Sequence, residues 1–280
     1  MPGRRLQYRA VFVSDVHLGS AGSMVEEFKT FLDAVDCEYL YLVGDIVDLW
    51  VAVKASKWRD IHTDVVQALL EKSKQGTKIY FTPGNHDAFL RRLNGSQFGN
   101  IEIGHTFVHE TTDGLRLQVV HGDLFDKSVK YVPVAWLAAW AYESVTVFNG
   151  WVNGRRVARG KEPMDFSSVF KKRLKKYFSR KNDFEGTLLA QAMANGYDGV
   201  VCGHIHRPTL QMDEEGGWYM NAGDWVEHGT AIVESSTGRL ELLTWREIER
   251  LLAEGEGGPS ATIPREPEHR ETWIRSTSSL

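Results

Sequence analysis

Five short polar blocks recur along the 280-residue chain in a fixed order: Asp15-Val16-His17, Gly44-Asp45, Gly84-Asn85-His86-Asp87, Val120-His121-Gly122-Asp123 and Gly203-His204-Ile205-His206. An Asp-x-His turn offers one hard oxygen and one borderline nitrogen, a donor set suited to manganese, iron, zinc or magnesium rather than to thiolate-seeking ions. The candidate ligands Asp15, His17, Asp45, Asn85, His121, His204 and His206 are too many for one ion that keeps positions open for substrate, which takes three or four. Two divalent ions sharing one carboxylate satisfy the count. Asp45 is assigned the bridge, with Asp15, His17 and His206 on the first ion and Asn85, His121 and His204 on the second. Such a pair, about 3.5 to 4 Å apart, turns water into a nucleophile near neutral pH and neutralises phosphoryl oxygens during in-line displacement. The expected chemistry is hydrolysis of a phosphate ester.

Asn85 is neutral where a third carboxylate could stand, which keeps the ion pair net positive toward an anionic phosphate. His86 follows it and is expected to point away from the ions. With Asp87 beside it to fix its tautomer and raise its basicity, His86 is the candidate acid, donating to a leaving oxygen or stabilising developing charge. Any one of these histidines alone reads more simply as a surface or hydrogen-bonded core residue. No packing requirement, however, asks for Gly-Asn-His-Asp and Gly-His-x-His after successive apolar runs, and jointly the blocks point to a dinuclear site. A metal-stabilised scaffold without turnover predicts degraded blocks, and none is degraded here.

The elements that must position these blocks are visible as the apolar runs directly ahead of them: Ala10 to Val13, Leu40 to Val43, Ile79 to Phe81, Leu117 to Val120 and Val200 to Cys202. Such β-branched and aromatic runs read as buried strands. In open α/β sheets functional groups gather where strands end at their carboxyl edge, so blocks at five strand ends can converge. Helix-then-strand patterns over Asp33 to Val43 and Ile61 to Lys78 fit βαβ units, and His62, inside the second helix, reads as structural.

Between His121 and His204 the strand pattern breaks, and residues 127–195 read as an inserted helical cap in a single catalytic domain covering 1–253. Val132 to Phe148 holds Trp136, Leu137, Trp140, Tyr142, Val145 and Phe148; at about 16 residues it is shorter than the roughly 20 that span a bilayer. It reads either as a helix packed on the domain or as a lid whose apolar face lines a groove for acyl chains and touches a membrane surface. A basic stretch follows, beginning with Arg155 and Arg156, candidates for substrate binding, and continuing through a basic amphipathic pattern over Phe166 to Phe178. It is expected to steer an anionic substrate or lipid headgroups, or else to be a solvated face. With 33 basic against 37 acidic residues overall, nucleic acid is not an expected partner. Two cysteines, Cys37 and Cys202, give no disulfide framework and suit a reducing cytoplasm. The apolar run before Ser14 is too short for a signal peptide, and 254–280, poor in apolar residues, reads as a disordered tail.

Written out as SDVHLG, GDIVDLW, PGNHD, VVHGD and GHIHRP, the blocks resemble those of the calcineurin-type metallophosphoesterases, over about residues 8 to 245. The resemblance implies an α/β fold, a four-layer αββα sandwich of two mixed sheets. Within that superfamily the chain most resembles the UDP-2,3-diacylglucosamine pyrophosphatases of lipid A biosynthesis, through YLVGDIVDLW, GNHDAFLR, the long insertion after HGD, GHIHRPTL and NAGDWVEHGTAIVE. That implies two divalent ions, manganese foremost, and a UDP-linked acylated sugar cleaved to UMP and 2,3-diacylglucosamine 1-phosphate at the inner face of the cytoplasmic membrane. One branch of that family carries Arg where this chain has His86, and another carries GNHD as here. A phosphate leaving group hardly needs a proton, whereas alkyl esters benefit from one, so His86 leaves open a soluble phosphodiesterase or phosphatase acting on nucleotides or small phosphate esters. Arg207 reads either as a grip on a second phosphate or as a surface ion pair, and His228, in the closing turn, is kept out of the metal site as a residue of the rim.

Overall fold

Each of the five apolar runs is a strand in the computed structural model, which describes residues 5–48, 58–126 and 184–253. In chain order these are β1 (Leu6–Val13), α1 (Val25–Ala34), β2 (Val35–Leu42), α2 (Asp60–Lys74), β3 (Lys78–Phe81), β4 (Ser96–Phe98), β5 (Ile101–Ile103), β6 (Phe107–Glu110), β7 (Arg116–Val119), α3 (Phe184–Ala194), β8 (Gly199–Cys202), β9 (Thr209–Met212), β10 (Trp218–Asn221), β11 (Thr230–Glu234), β12 (Leu240–Thr244) and α4 (Trp245–Ala253). Short 3₁₀ turns follow β3 (Ala88–Leu93) and β7 (Asp123–Phe125). The aromatic and basic stretches expected between 127 and 183, Arg155 and Arg156 among them, and the tail from 254 lie outside the described residues.

One sheet runs β12-β11-β1-β2-β3-β5-β4 and the other β6-β7-β8-β10-β9. Within them β1, β2 and β3 are mutually parallel, as are β7, β8 and β10, while β11 and β12 run antiparallel; both sheets are mixed. The side-chain alternation of β1 shows how the layers arise. Val11 and Val13 face outward into a core with Phe28, Phe31, Val65 and Ile248 from the helices. Ala10 and Phe12 face inward against Tyr41, Leu117, Val119, Val201 and Met220 from both sheets. A strand buried on both faces reads as an unbroken apolar run, which is why these strands were visible in the sequence. The fourth layer is α3, whose Phe184, Leu188, Leu189 and Ala192 pack on Val200, Cys202 and Tyr219. Residues 184–194, expected within the cap, thus belong to the sandwich, because their apolar face is completed by β8 and β10. The architecture is the four-layer αββα sandwich. Among the described residues no helix is long and apolar enough to cross a membrane.

His62 is structural, as expected: its Nδ1 accepts the Arg59 N–H at the start of α2, and its ring packs on Trp58. The helix ahead of β2 lies earlier than the pattern over Asp33 to Val43 placed it, ending at Ala34.

At the end of the sandwich remote from the polar blocks, a charged network ties the sheets together. Glu234 of β11, fully buried, takes Arg9 of β1 at 2.7 Å, the Thr112 N–H at 2.7 Å and His109 Nε2 of β6 at 2.8 Å, while His109 Nδ1 lies 3.0 Å from the Tyr41 hydroxyl. Burial alone would raise the Glu234 pKa, but His109, the Thr112 N–H and Arg9 outweigh it and hold it below the usual glutamate range. A depressed carboxylate adds stability above its unfolded pKa and loses it as pH falls through the folded value. Unfolding in urea should therefore become easier as pH drops below about 4.3. In Glu234→Gln that acid limb should flatten, with roughly 1 to 3 kcal/mol lost at neutral pH; an unchanged limb would remove the network from the account.

Candidate metal centre

The parallel strands deliver their C-terminal ends to one edge, and backbone bonds lock the loops there: Asp15 N to Gly44 O at 3.0 Å, His17 N to Asp45 O at 2.9 Å and Gly203 N to His121 O at 3.1 Å. The loops are strained. All the non-glycine residues with positive φ among the described residues are candidate ligands: Asp15 (53°), His17 (52°), Asp45 (52°), His204 (71°) and His206 (51°). Left-handed backbone costs a non-glycine residue about 1 to 3 kcal/mol and persists where surrounding structure over-determines it, typically at functional sites.

These turns gather the side chains into overlapping groups, Asp15/His17/His206, His17/Asp45/His86 and Asp45/His121/His204, within each of which the donor atoms lie within 4.8 Å of one another. Asp15 Oδ1 is 3.1 Å from His206 Nε2 and 3.8 Å from His17 Nε2; Asp45 Oδ2 is 3.3 Å from His121 Nε2. Asp45 belongs to the second and third groups, and His17 joins the second to the first, so the three form one continuous cluster with Asp45 linking its two ends. Asp15 Oδ1, His17 Nε2, Asn85 Oδ1 and His121 Nε2 are buried without a hydrogen-bond partner. Orphaned buried polar atoms are rare in folded proteins, and this oxygen and nitrogen set fits hard to borderline divalent cations.

The donors are aimed from behind. Asp15 Oδ2 accepts the His204 N–H at 2.9 Å and lies 2.5 Å from the Ser14 hydroxyl, which leaves Oδ1 to the site. Asp45 Oδ1 accepts the His86 N–H at 2.7 Å, leaving Oδ2. His121 Nδ1 meets Val43 O at 2.9 Å, which turns Nε2 inward, and His204 Nε2 sits 3.0 Å from Asp126 Oδ2, which leaves Nδ1. Supporting contacts of this kind fix ring orientation and tautomer in metal sites. Electrostatics agree with the geometry. Burial raises the Asp15 pKa, yet His17 and His206 outweigh it and hold the carboxyl well below the usual range. Burial disfavours charged His121, but Asp45 and Asp15 lift it to about 10. The cluster draws positive charge.

Glycines make room for this crowding. A Cβ on Gly84 would sit 2.2 Å from Asp45 Oδ1 and 2.7 Å from the Asp45 nitrogen and His121 Cδ2. Gly84→Ala should therefore push Asp45 aside and lower turnover about 10- to 100-fold, the usual effect of disturbing a ligand's support; wild-type kcat/KM in this variant would contradict the packing.

Two expected roles need correction. Asp87 does not fix His86: its fully buried carboxylate accepts backbone N–H groups, Gly84 at 2.6 Å and Ile46 at 2.8 Å, with Asp45 and Val47 at 3.4 Å. The turn after Asn85 sends neighbouring side chains opposite ways. Nor does His86 point away. Its ring stands edge-on to His17 at 4.6 Å, with the side chain 37% exposed at the mouth of the site, and the carboxylate facing its Nδ1 is Asp48, at 3.5 Å. Arg207 is 73% exposed and ion-paired with Glu185 of α3 at 3.2 Å, the surface alternative. Asp48, Asp126 and Ser14 were not singled out from sequence; each stands within or beside a polar block, but spacing alone gave no partner for it.

Comparison with known proteins bears on this geometry. UDP-2,3-diacylglucosamine hydrolase of Aeromonas hydrophila is 25% identical over 238 residues, covering 80% of this chain and 93% of that protein. The Shewanella loihica protein of the same name is 26% identical over 250 residues, covering 85% and 98%. Among solved structures, an archaeal phosphodiesterase aligns over 84% of this chain and 98% of its own at 14% identity, with a TM-score of 0.39. The Calcineurin-like phosphoesterase family matches residues 8–208, most of the chain. With that match and a donor cluster that fits divalent cations, the chain belongs to the calcineurin-like phosphoesterase family and is a metal-dependent phosphoester hydrolase.

Proposed function

We propose that the chain hydrolyses the pyrophosphate of UDP-2,3-diacylglucosamine to UMP and 2,3-diacylglucosamine 1-phosphate, at the inner face of the cytoplasmic membrane. Asp15, His17 and His206 would hold one ion and Asn85, His121 and His204 the other, with Asp45 between them and manganese the preferred metal. The observation that carries this reading is the membership of Asp45 in both the His17/His86 and the His121/His204 groups, beside buried donor atoms of Asp15, His17, Asn85 and His121 that lack partners. The substrate rests on the activity named for relatives that match over most of their length.

When bound, the ions would supply an acidified water and neutralise the phosphoryl oxygens. The chain's own residues do the rest. The supports behind Asp15, Asp45, His121 and His204 keep their donor atoms in place before substrate arrives, so little reorganisation remains for the reaction. His86, at the mouth beside Asp48, is placed to meet the phosphate or the leaving oxygen, and Arg155 and Arg156 are assigned to substrate binding. Arg207, paired with Glu185 on the surface, keeps at most a peripheral hold on a second phosphate.

The test is UMP release from UDP-2,3-diacylglucosamine by metal-free protein reloaded with manganese, run beside an aryl phosphodiester and an Asp45→Ala control. Asp45-dependent UMP release supports the reading; turnover of the aryl ester alone overturns the substrate. The position of His86 favours a second reading, a phosphodiesterase for nucleotides or small esters, because a solvent-facing imidazole can protonate a poor leaving group. His86→Ala separates the two: on the pyrophosphate kcat should fall less than about tenfold, and on an alkyl diester about 10²- to 10⁴-fold. Equal losses on both would count against the leading substrate.

A further inference from the structure

The turn between β10 and β11 holds a carboxylate that none of the roles above uses. Asp224 is fully buried. Its Oδ1 accepts the N–H groups of Val226 at 2.8 Å, Glu227 at 2.5 Å and His228 at 3.3 Å, so this oxygen builds the turn. Its Oδ2 does something else: it lies 2.5 Å from His228 Nδ1 and 3.8 Å from Nδ1 of His206. His206 is therefore flanked by carboxylates, Asp15 Oδ1 at 3.1 Å from Nε2 and Asp224 Oδ2 beyond Nδ1. The turn that carries Asp224 is anchored to the site by its own backbone, with the Trp225 N–H on Asp15 O at 3.0 Å and the Trp225 indole buried against Phe28 and Phe31. Gly223, at φ 74°, makes the tight entry: a Cβ there would meet Thr230 Oγ1 at 2.1 Å and Pro208 at 2.6 Å.

We infer that Asp224 is a positioning residue for His206, holding Nδ1 on its side so that Nε2 is presented beside Asp15. His228 is the partner that orients Oδ2. A carboxylate behind a ligating imidazole fixes the ring and raises its basicity. At 3.8 Å the contact to His206 is one of charge and orientation rather than a full hydrogen bond, and it acts on a ring 33% exposed on the site's open side, where little packing would hold it. His17 has a matching carboxylate, Asp48 Oδ2 at 3.9 Å from its Nδ1, but its side chain is only 9% exposed, so packing shares the task there.

The inference rests on the proposed reading of His206 as a ligand, and the test separates the two. Manganese binding to metal-free protein is measured by calorimetry for the wild type, Asp224→Asn and His228→Ala, with thermal unfolding of each metal-free protein alongside. Asn keeps an oxygen for the turn's N–H groups but replaces the accepting Oδ2 with an amide NH₂. Asp224→Asn should weaken one of the two ions about 10- to 100-fold at a nearly unchanged Tm, and His228→Ala should weaken it much less. Wild-type affinity in Asp224→Asn overturns the positioning role, as does an equal loss in His228→Ala. A wild type that binds no second ion overturns the ligand reading itself. Should the Asn variant not fold, nitrogen NMR of the zinc-loaded wild type decides: a protonated Nδ1 on His206 supports the inference, and metal on Nδ1 refutes it.

Discussion

Asp45→Asn should lose at least about 10³-fold in kcat/KM, roughly 4 kcal/mol of transition-state stabilisation, while remaining folded. The size follows from where Asp45 sits. It belongs to both the His17/His86 and the His121/His204 groups, so one substitution disturbs both halves of the cluster, and activities of residues acting as a unit collapse together rather than by shares. Asn is a better probe than Ala because the position has φ 52°, which Asn tolerates and Ala resists. Asn can also still accept the His86 N–H that Asp45 Oδ1 receives at 2.7 Å. What it removes is charge. The measurement is initial-rate hydrolysis with bound metal counted in the same sample; more than a tenth of wild-type activity would show that Asp45 does not lie at the centre of the chemistry.

The second large effect is on stability. Asp87→Ala should cost roughly 3 to 5 kcal/mol in urea unfolding, because two short charge-assisted bonds, to Ile46 and Gly84, vanish together and leave buried N–H groups unpaired. The two oxygens divide the work: Oδ1 takes Gly84 and Oδ2 takes Ile46. Asp87→Asn offers only one acceptor oxygen and should fall between the wild type and Ala. Burial, and next the charge of Asp45, raise the Asp87 pKa, so the carboxylate is kept against an electrostatic penalty. What offsets that penalty is the clip between the loop of Asp45 and the loop of Asn85. Activity should fall with stability, since both loops carry candidate ligands. An Asp87→Ala protein as stable as the wild type would sink this account.

The strands behind the polar blocks were legible because burial on both faces leaves no polar alternation to confuse them, as with Val11 to Val13 and Val200 to Cys202. Short strands such as Ser96–Phe98 and Thr209–Met212 left no such mark: they are half-exposed edge strands of three and four residues, each paired among the described residues only with the next strand in the chain, so no continuous apolar run announces them. Asp87 misled for a related reason. Adjacency to His86 suggested a pair, but the turn that exposes one buries the other, and only tertiary structure brings Asp48 to His86. The helix Phe184–Ala194 was readable as a helix, yet nothing in its residues says whether its apolar side meets a cap or a sheet. The convergence of distant blocks was readable because each closes a strand, and parallel strands share an edge. The supporting contacts, such as His204 N–H on Asp15, depend on loop geometry that spacing does not encode.

The place of β1 has a consequence for biosynthesis. It lies inside its sheet, between β2, which ends at Leu42, and β11, which begins only at Thr230. At a ribosome adding about 5 to 20 residues per second, roughly 10 to 40 seconds separate the emergence of those two neighbours. Through that interval the far edge of β1 stays an open row of backbone donors and acceptors, a template for mispairing. Asp15 likewise waits for His204 and His206. Nascent chains that stop short of His204 should thus be both aggregation-prone and incomplete at the cluster, and metal capture follows the synthesis of β8 rather than that of β1.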